Sequence, residues 1–310
     1  MGTVYHIYQR TPKRFVIFYS ISDFLVFLMT VCVTARKTRT RVLGVCCMFD
    51  HVHLLAEADS PEALSGFVDE YSSRFARQYN EDKACRGAVF EPRFGRAAKW
   101  GGKKIRTAIA YLYNNPVERM LCKNAEEYQW NFLAYAFSGT PFSVDDPLRS
   151  LSYRARSAAS EIKYCRQHDK IISYAHLSKI FDSVNKTERK FLVDYIVSSY
   201  KCIDYTVLSS YFDGPKNMMT AIHSNTGSEY EIREEQDKVD DRYYQKFLSV
   251  LITSGHISNS KEIFHLEPKR KLELISFLNH RFPMVQKQVY KFIRYIPGGS
   301  ANSGAPRRSV

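Results

Sequence analysis

Apolar residues recur at helical spacing most clearly between residues 60 and 79. Ser60 and Pro61, at the start of this stretch, are typical of a helix N-cap and first turn. The apolar positions that follow lie three or four residues apart along one helix face. These positions are Leu64, Phe67, Val68, Tyr71, Phe75 and Tyr79. The pattern therefore predicts an amphipathic helix that packs on a core.

Shorter stretches rich in β-branched and aromatic residues predict strands. They cover residues 4–9, 41–49 and 51–57, and a further strand or turn is expected over residues 88–94. Residues 41–49 are apolar almost throughout, so we expect that strand to be buried on both faces.

Two more helices are predicted among these strands. Asp23 is the expected N-cap of a helix that ends near residue 35. Another helix is expected over residues 103–114, where Pro116 would stop it. Strands that alternate with helices able to cover one sheet face indicate an α+β fold with an antiparallel sheet.

The chain divides into two parts with different patterns. Residues 1–140 hold the strands, residues 141–150 have the composition of a linker, and residues 151–296 form a mostly helical accessory domain. Residues 297–310 are small and polar, which predicts a disordered tail. DNA binding, oligomerisation and a scaffold role all fit the accessory domain. Its helices are expected over residues 150–170, 176–200, 204–212, 216–223, 237–254, 268–281 and 284–294.

The charge of the chain indicates the kind of partner it has. The 310 residues include 45 Lys and Arg against 32 Asp and Glu, a formal net charge of +13. Both halves carry the excess, and an anionic partner, most commonly nucleic acid, fits it. The 7 cysteines form no C-x-x-C motif, which fits a cytoplasmic protein with reduced and mostly buried thiols.

Residues 15–35 form the most apolar stretch of the chain. Tyr19, Ser20, Ser22 and Asp23 interrupt it, whereas a membrane span needs about 20 predominantly apolar residues. We therefore expect the end of a strand followed by a core helix, and no membrane segment.

Two histidines stand two positions apart in the third predicted strand. Because side chains of a strand alternate between faces, His51 and His53 are expected on one face, with Cα atoms about 6.6 Å apart. Two imidazoles at that spacing can converge on one divalent ion. The alternative is a pair of polar surface residues, which an isolated H-x-H motif does not exclude.

A tyrosine and an asparagine share one face of the helix predicted over residues 103–114. Tyr111 and Asn115 are four residues apart, so a nucleophile and a third metal ligand would lie side by side. Tyr113 is the rival nucleophile, but Val117, four residues after it, cannot bind a metal. The alternative for Tyr111 is an ordinary core tyrosine.

Five segments of the chain form an ordered set of motifs around these residues. They are VYHIYQR, IFYSISDFLVFL, CCMFDHVHLL, FEPRFGR and AYLYNNPVERML. Together they resemble the single-tyrosine HUH transposases, and in particular the REP-associated tyrosine transposases and their IS-element relatives. The resemblance covers roughly residues 3–135. It departs from the family pattern at Phe49, Asp50, Phe90 and Met120, where Pro, Asn, Trp and Gly are usual.

This resemblance implies a ferredoxin-like HUH nuclease domain with the site on the open face of its sheet. His51, His53 and Asn115 would hold Mg²⁺ or Mn²⁺, and Tyr111 would attack a phosphate of single-stranded DNA. The products would be a 5′-phosphotyrosine and a free 3′-OH, and a 3′-OH would later resolve the link without ATP. The DNA is expected to carry a hairpin. A monomer and a homodimer both remain possible.

Basic residues near the tyrosine are candidates for DNA binding. A run without acidic residues precedes Tyr111, and Trp100 and Phe94 beside it offer ring faces for base stacking. The alternative is a solvated basic loop. The candidates are Arg93, Arg96, Lys99, Trp100, Lys103, Lys104 and Arg106, with Arg10, Arg36 and Lys37 as further ones.

Two other functions are compatible with the same motifs. A domesticated relative would bind hairpin DNA without strand transfer, although the complete set of His51, His53, Tyr111 and Asn115 argues against it. A replication-initiator or relaxase-like nickase would use the same chemistry. His6 is interpreted as an ordinary strand residue.

Overall fold

The computed structural model describes three ranges of the chain, residues 2–143, 151–224 and 241–297. Residues 144–150, which are most of the predicted linker, lie outside the described residues. So do residues 298–310 of the predicted tail and residues 237–240 of a predicted helix.

Four antiparallel strands form one sheet in the order β2-β3-β1-β4. The strands are β1 (Thr3–Arg10), β2 (Arg41–Cys47), β3 (His51–Ala58) and β4 (Gly95–Lys99). The first three lie where the β-branched and aromatic stretches predict them. The N-terminal part is therefore α+β with an antiparallel sheet, as the sequence predicts.

The fourth strand is not where the sequence predicts it. Residues 88–94 form no strand, and Phe90 packs on Phe27 and Phe75 in the core instead. Strand β4 lies in the segment predicted as a basic loop, because its backbone pairs with β1 in antiparallel register. Pairing with an existing strand outweighs the weak strand propensity of this segment.

Two helices cover the face of the sheet that carries Gln9. These helices are α1 (Ile21–Thr38) and α2 (Pro61–Asp82). Tyr71 of α2 donates a hydrogen bond to the side-chain oxygen of Gln9. Phe27 of α1 packs edge to face on Tyr71, so α1 is held against α2.

The third helix, α3 (Gly101–Glu118), crosses the other face of the sheet. Gly44 of β2 lies where the helix passes, and a Cβ there would be 3.3 Å from Leu112 of α3. The missing side chain lets the helix approach the sheet closely.

Two helix ends differ from the predicted ones. The N-cap of α1 is Ser20, and Asp23 is the third residue of a capping box in which its Oδ2 accepts from the Ser20 amide at 2.7 Å. Helix α3 continues through Pro116 to Glu118. A proline removes one amide donor, and the next amides still pair, with Arg119 N donating to Asn115 O at 3.0 Å.

The C-terminal part is mostly helical, as predicted. The helix expected over residues 176–200 is two helices, because the Asn185 side chain accepts from the Glu188 amide at 3.0 Å and caps a new helix there. The helices are α4 (Tyr153–Gln167), α5 (Tyr174–Asp182), α6 (Lys186–Tyr200), α7 (Tyr205–Ser210), α8 (Pro215–Ser224), α9 (Arg242–Thr253), α10 (Pro268–Arg281) and α11 (Gln286–Ile293).

Short 3-10 helices connect the longer elements. They lie at Pro12–Arg14, Ala125–Glu127, Gln129–Asn131, Leu133–Ala136, Ser260–Phe264 and Pro283–Val285.

The helical part is attached to the sheet and to α3. Ile203 forms a parallel bridge with Val42 of β2, and the Asp204 amide donates to the Val42 carbonyl at 2.9 Å. Asn114 of α3 donates its side-chain amide to the Ile222 carbonyl of α8 at 2.7 Å. The C-terminal helices therefore pack directly around the N-terminal fold.

Cys32 of α1 and Cys202 form a disulfide, with Cα atoms 5.1 Å apart. The expectation of reduced thiols is therefore wrong for this pair. The two cysteines meet because the segment after α6 pairs with β2 beside α1, a contact between residues 170 positions apart.

The described residues contain no helix that is long and apolar enough to span a membrane.

Candidate active site

Strand β3 places the two predicted histidines on the same face of the sheet. The ring centroids of His51 and His53 lie 5.0 Å apart, with the ring planes at 85°. Both side chains are buried. The alternation of side chains along the strand is therefore as the sequence predicts, but the pair is not a polar surface feature.

Helix α3 brings Tyr111 to this histidine pair. The ring of Tyr111 lies edge to face against His53, with centroids 5.7 Å apart. Asn115 follows one helical turn later, and its side-chain amide donates to the Tyr111 carbonyl at 3.1 Å. Both residues are buried. His51, His53 and Tyr111 thus form one cluster, and Asn115 lies next to it along the helix.

Tyr113 lies on a different side of α3. Its hydroxyl is 3.5 Å from the position that a Cβ on Gly44 would take, so it faces β2. Burial raises the pKa of the Tyr113 hydroxyl well above its ordinary value. The structure therefore separates the two tyrosines as the helical period predicts, and only Tyr111 has a ring contact with His53.

His6 of β1 belongs to the same cluster, although the sequence predicts an ordinary strand residue. Its Nε2 lies 3.1 Å from Nδ1 of His53, and its ring lies 5.6 Å from that of Tyr111. Burial, assisted by the charge of Lys99, lowers the pKa of His6 to about 3. Burial and the neighbouring charges of His51, His6 and Arg119 lower the pKa of His53 well below its ordinary value. Both imidazoles are therefore neutral.

Tyr8 of β1 is a second residue that the sequence does not single out. It pairs directly with His53 in the register of β1 and β3. Its ring lies 5.4 Å from His51 and 5.1 Å from His53. The sequence shows that His6 and Tyr8 lie two positions apart and so share one face of β1. Placing them at the site also requires the register of β1 against β3.

Asp50 immediately precedes β3 and contacts His51. Its Oδ1 is 2.6 Å from His51 Nδ1, and its Oδ2 accepts from Lys291 Nζ at 3.1 Å. Burial alone would raise the pKa of Asp50. The hydrogen bond and charge of His51, with the charges of Lys291 and Arg119, outweigh burial and hold the pKa of Asp50 well below its ordinary value.

The cluster is covered, whereas the family resemblance implies a site on an open sheet face. His53 is 0% exposed, His51 and Tyr111 are 2% exposed, and Asn115 is 3% exposed. Tyr8 lies against both histidines, and α3 crosses the same face. A ligand can therefore reach the Tyr111 side chain only after a covering group moves.

Five of the basic and aromatic candidates are exposed around the start of α3. Trp100, just before the helix, exposes 67% of its surface. Arg106 donates to the backbone carbonyl of Tyr211, just after α7, at 3.3 Å. These five are Arg93, Trp100, Lys103, Lys104 and Arg106, and two candidates placed elsewhere, Arg96 and Lys37, are exposed as well.

Two further candidates of the same run lie on β4, where successive side chains point to opposite faces of the sheet. Arg96 lies opposite Ile7, on the face covered by α2, and donates to the Pro61 carbonyl at 3.2 Å. Lys99 lies opposite Val4, on the face of the histidines, and is buried. The structure thus does not bring Arg96 to the tyrosine side.

The three remaining candidates form ion pairs within the protein. Two of them, Arg36 and Lys37, are on the C-terminal turn of α1, and Arg10 is at the end of β1. The pairs are Arg10 with Glu91 at 3.0 Å, Arg36 with Asp169 at 2.8 Å and Lys37 with Glu70 at 3.2 Å.

The donor atoms at the site are compatible with a divalent cation. Nε2 of His51 is buried and has no hydrogen-bond partner among the described residues. Neutral imidazole nitrogens and an amide oxygen are accepted ligands of such cations. Within the described ranges, no three His, Cys, Asp or Glu side chains are grouped to hold a metal ion. The predicted ligand set contains two histidines and Asn115. Metal binding by this set would therefore depend on the side-chain amide of Asn115 as the third ligand.

Comparisons with known proteins show what this chain is similar to. Residues 2–115 match the family model of IS200-like transposases. A solved structure of a REP-associated tyrosine transposase bound to a REP hairpin is similar over 44% of this chain and 79% of that chain. The sequence identity is 15% and the TM-score is 0.38. No curated protein sequence matches the chain.

The family match includes both histidines of β3, Tyr111 and Asn115. Residues 2–115, a little over a third of the chain, are therefore similar to IS200-like transposases.

Replacing the Tyr113 hydroxyl tests whether this tyrosine is a packing residue. The hydroxyl is buried without a hydrogen-bond partner among the described residues. We expect Tyr113→Phe to leave the free energy of unfolding unchanged, or to raise it by about 1 kcal/mol. Urea unfolding followed by circular dichroism measures this.

Tyr128→Phe is the matched control, because the Tyr128 hydroxyl donates to the Cys47 carbonyl at 2.8 Å. Its loss is expected to lower the free energy of unfolding by about 1 kcal/mol. A similar loss in Tyr113→Phe would show that its hydroxyl is bonded and would contradict the prediction.

Proposed function

We propose that this protein is a metal-dependent transposase that cleaves and rejoins single-stranded DNA through a 5′-phosphotyrosine intermediate. The observation that carries the proposal is the contact of the Tyr111 ring with His53, in a cluster with His51 and His6. The proposal takes the hydroxyl of Tyr111 as the nucleophile and the imidazoles of His51 and His53 as metal ligands, a combination suited to phosphodiester cleavage.

In the proposed step, the hydroxyl oxygen of Tyr111 attacks the scissile phosphorus. A bond forms between this oxygen and phosphorus, and the bond to the 3′ oxygen of the preceding nucleotide breaks. The 3′ oxygen leaves with a proton, and the DNA 3′ of the cut stays on Tyr111 through its 5′ phosphate. A 3′-OH then attacks the phosphotyrosine, restores the hydroxyl of Tyr111 and rejoins DNA.

His51, His53 and Asn115 are the residues that would hold Mg²⁺ or Mn²⁺. When bound, the cation would polarise the scissile phosphate and stabilise charge on its oxygens. The buried Nε2 of His51 supports this assignment, because such a lone pair otherwise remains unsatisfied. His6 would hold the ring of His53 through the contact between Nε2 and Nδ1.

We propose that DNA enters from the start of α3. Lys103 and Lys104 lie about two helical turns before Tyr111, or about 12 Å along the axis. These lysines and Arg93 would neutralise phosphates, and the exposed ring of Trp100 would stack on a base. Hairpin DNA is the expected form of the substrate, because the motifs resemble those of transposases that use hairpin ends.

The proposed organisation follows the division of the sequence. Residues 1–140 would be the nuclease domain, residues 151–296 the accessory domain, and residues 297–310 a disordered tail. We place the protein in the cytoplasm, where its DNA lies, and leave both a monomer and a homodimer open.

One observation favours a second function, that of a hairpin-binding protein without strand transfer. The candidate site is buried, so its chemistry requires a group such as Tyr8 to move. A protein that keeps the site closed would still bind DNA through its exposed basic residues. The experiments below separate the two functions.

The first experiment identifies the nucleophile. We expect Tyr111→Phe to abolish a covalent protein–DNA adduct, because the variant has no phenolic oxygen to attack phosphorus. Single-stranded oligonucleotides from the DNA that flanks the gene, labelled at the 5′ or 3′ end, are incubated with Mn²⁺ and separated on a denaturing gel. Only the 3′ label should remain with the protein.

Tyr8→Phe and Tyr113→Phe are the matched controls, and both should retain the adduct. Loss of the adduct in Tyr8→Phe alone would move the nucleophile to β1. A tight complex on a native gel without any adduct would favour the binding function.

The second experiment tests the metal ligands. We expect His51→Ala and His53→Ala each to weaken Mn²⁺ binding by more than about tenfold, since even partners of a metal ligand contribute that much. Electron paramagnetic resonance of free Mn²⁺ measures the affinity. His176→Ala is the control, because His176 pairs with Glu161 on the surface of the accessory domain. Unchanged affinity in both site variants would remove the metal site.

The third experiment tests the DNA path. We expect the combined variant Arg93→Gln, Lys103→Gln, Lys104→Gln to lower the slope of log affinity against log salt concentration by about 2, or about 0.7 for each lost phosphate contact. Fluorescence anisotropy with labelled hairpin DNA measures it.

Arg96→Gln is the control from the same basic run, because Arg96 lies on the opposite face of the sheet. If Arg96→Gln lowers the salt slope as much as each charge removed in the combined variant, the sheet face does not determine which residues contact DNA.

A further inference from the structure

Asp50 connects the histidine pair to the C-terminal helix α11. It is also a position at which the chain departs from the family pattern, where Asn is usual. One carboxylate oxygen of Asp50 lies 2.6 Å from His51 Nδ1, and the other accepts from Lys291 Nζ at 3.1 Å. Lys291 belongs to α11 and lies 241 positions after Asp50.

Backbone contacts join both Lys291 and Asp50 to the segment between β1 and α1. The Val16 amide donates to the Lys291 carbonyl at 3.3 Å, and the Thr11 amide donates to the Asp50 carbonyl at 3.2 Å. The Lys291 side chain is largely covered, with 16% of its surface exposed. The ion pair is therefore part of a packed interface.

The contact with Asp50 determines which nitrogen of His51 carries the proton. An ionised carboxylate only accepts hydrogen bonds, so Nδ1 of His51 must donate. A neutral imidazole with a proton on Nδ1 has its lone pair on Nε2. Nε2 of His51 is buried and has no hydrogen-bond partner among the described residues. The lone pair is thus available to a cation.

Lys291 explains why an acid fits position 50 here. An asparagine has one accepting oxygen and one donating NH₂ group. Beside the ammonium group of Lys291, the amide oxygen would turn to the lysine and the NH₂ group to His51. Nδ1 would then have to accept, and the proton would move to Nε2. A carboxylate accepts on both sides and avoids this conflict.

We propose that Lys291 and Asp50 are positioning residues that hold His51 with its proton on Nδ1, so that the C-terminal helical part completes the candidate active site. The inference rests on the proposed function only where it assigns a cation to Nε2. The position of the proton is a property of the protein without metal.

The test determines the tautomer of His51 in the full-length, metal-free protein. Long-range ¹H–¹⁵N spectra of protein labelled in histidine distinguish the two tautomers, and His51→Gln assigns the signal. The spectra are recorded on the high-pH plateau, where the histidine signals no longer change with pH. We expect the proton on Nδ1 in the wild type, on Nε2 in Asp50→Asn, and again on Nδ1 in Asp50→Asn, Lys291→Met.

Lys287→Met is the matched control, since Lys287 is an exposed lysine one turn earlier on α11. It should leave the tautomer unchanged. Mn²⁺ affinity should fall at least about tenfold in Asp50→Asn and recover in the double variant. Charge alone could also alter Mn²⁺ affinity, so the tautomer in the metal-free protein is the deciding result.

A proton on Nδ1 in Asp50→Asn would overturn the proposal. So would a proton on Nε2 in the wild type, and this result does not depend on the folding of any variant. If the tautomer switches as expected but no protein forms an adduct with DNA, the proposed function fails and the inference stands. If the adduct forms and the tautomer does not switch, the inference alone fails.

Discussion

The antiparallel register of β1 against β3 is the constraint on which the candidate site depends. It sets Tyr8 opposite His53, and His6 follows on the same face one pleat further along. A slip of one residue would turn both side chains toward α2 and bring Gln9 to the histidines. The hydrogen bond from Tyr71 of α2 to Gln9 opposes such a slip, because it needs Gln9 on the helix-covered face.

The helical period of α3 is the second constraint, and it acts on the opposite side of the cluster. A step of two residues rotates a helix by about 200°, so Tyr111 and Tyr113 cannot face the same neighbours. Tyr113 takes the side of β2, where Gly44 leaves room for its hydroxyl, and Tyr111 takes the side of His53. The site therefore forms where the histidine face of the sheet meets the Tyr111 side of α3. The two-residue period of the strands sets the first, and the 3.6-residue period of the helix sets the second.

Local periodicity explains how much of this could be predicted from the sequence. The shared face of His51 and His53, and the separation of Tyr111 from Tyr113, follow from spacing within one element. The place of His6 depends on strand register, and the contact of Asp50 depends on a helix 241 positions away. Neither contact has a local signal. The sequence does not predict the position of β4 for the same reason, because pairing with β1 determines that position and strand propensity does not.

The bridge between Ile203 and Val42 has a consequence for how copies of this chain can meet. The outer edge of a sheet offers unpaired backbone groups to any other strand. Here the carbonyl of Val42 already accepts from the Asp204 amide, so this end of the β2 edge is occupied by the chain itself. A second copy could extend the sheet at this end only by displacing the segment that joins α6 to α7. Sheet extension between two copies across this end of β2 would therefore require the accessory helices to detach first, whereas β4 forms the other edge of the sheet.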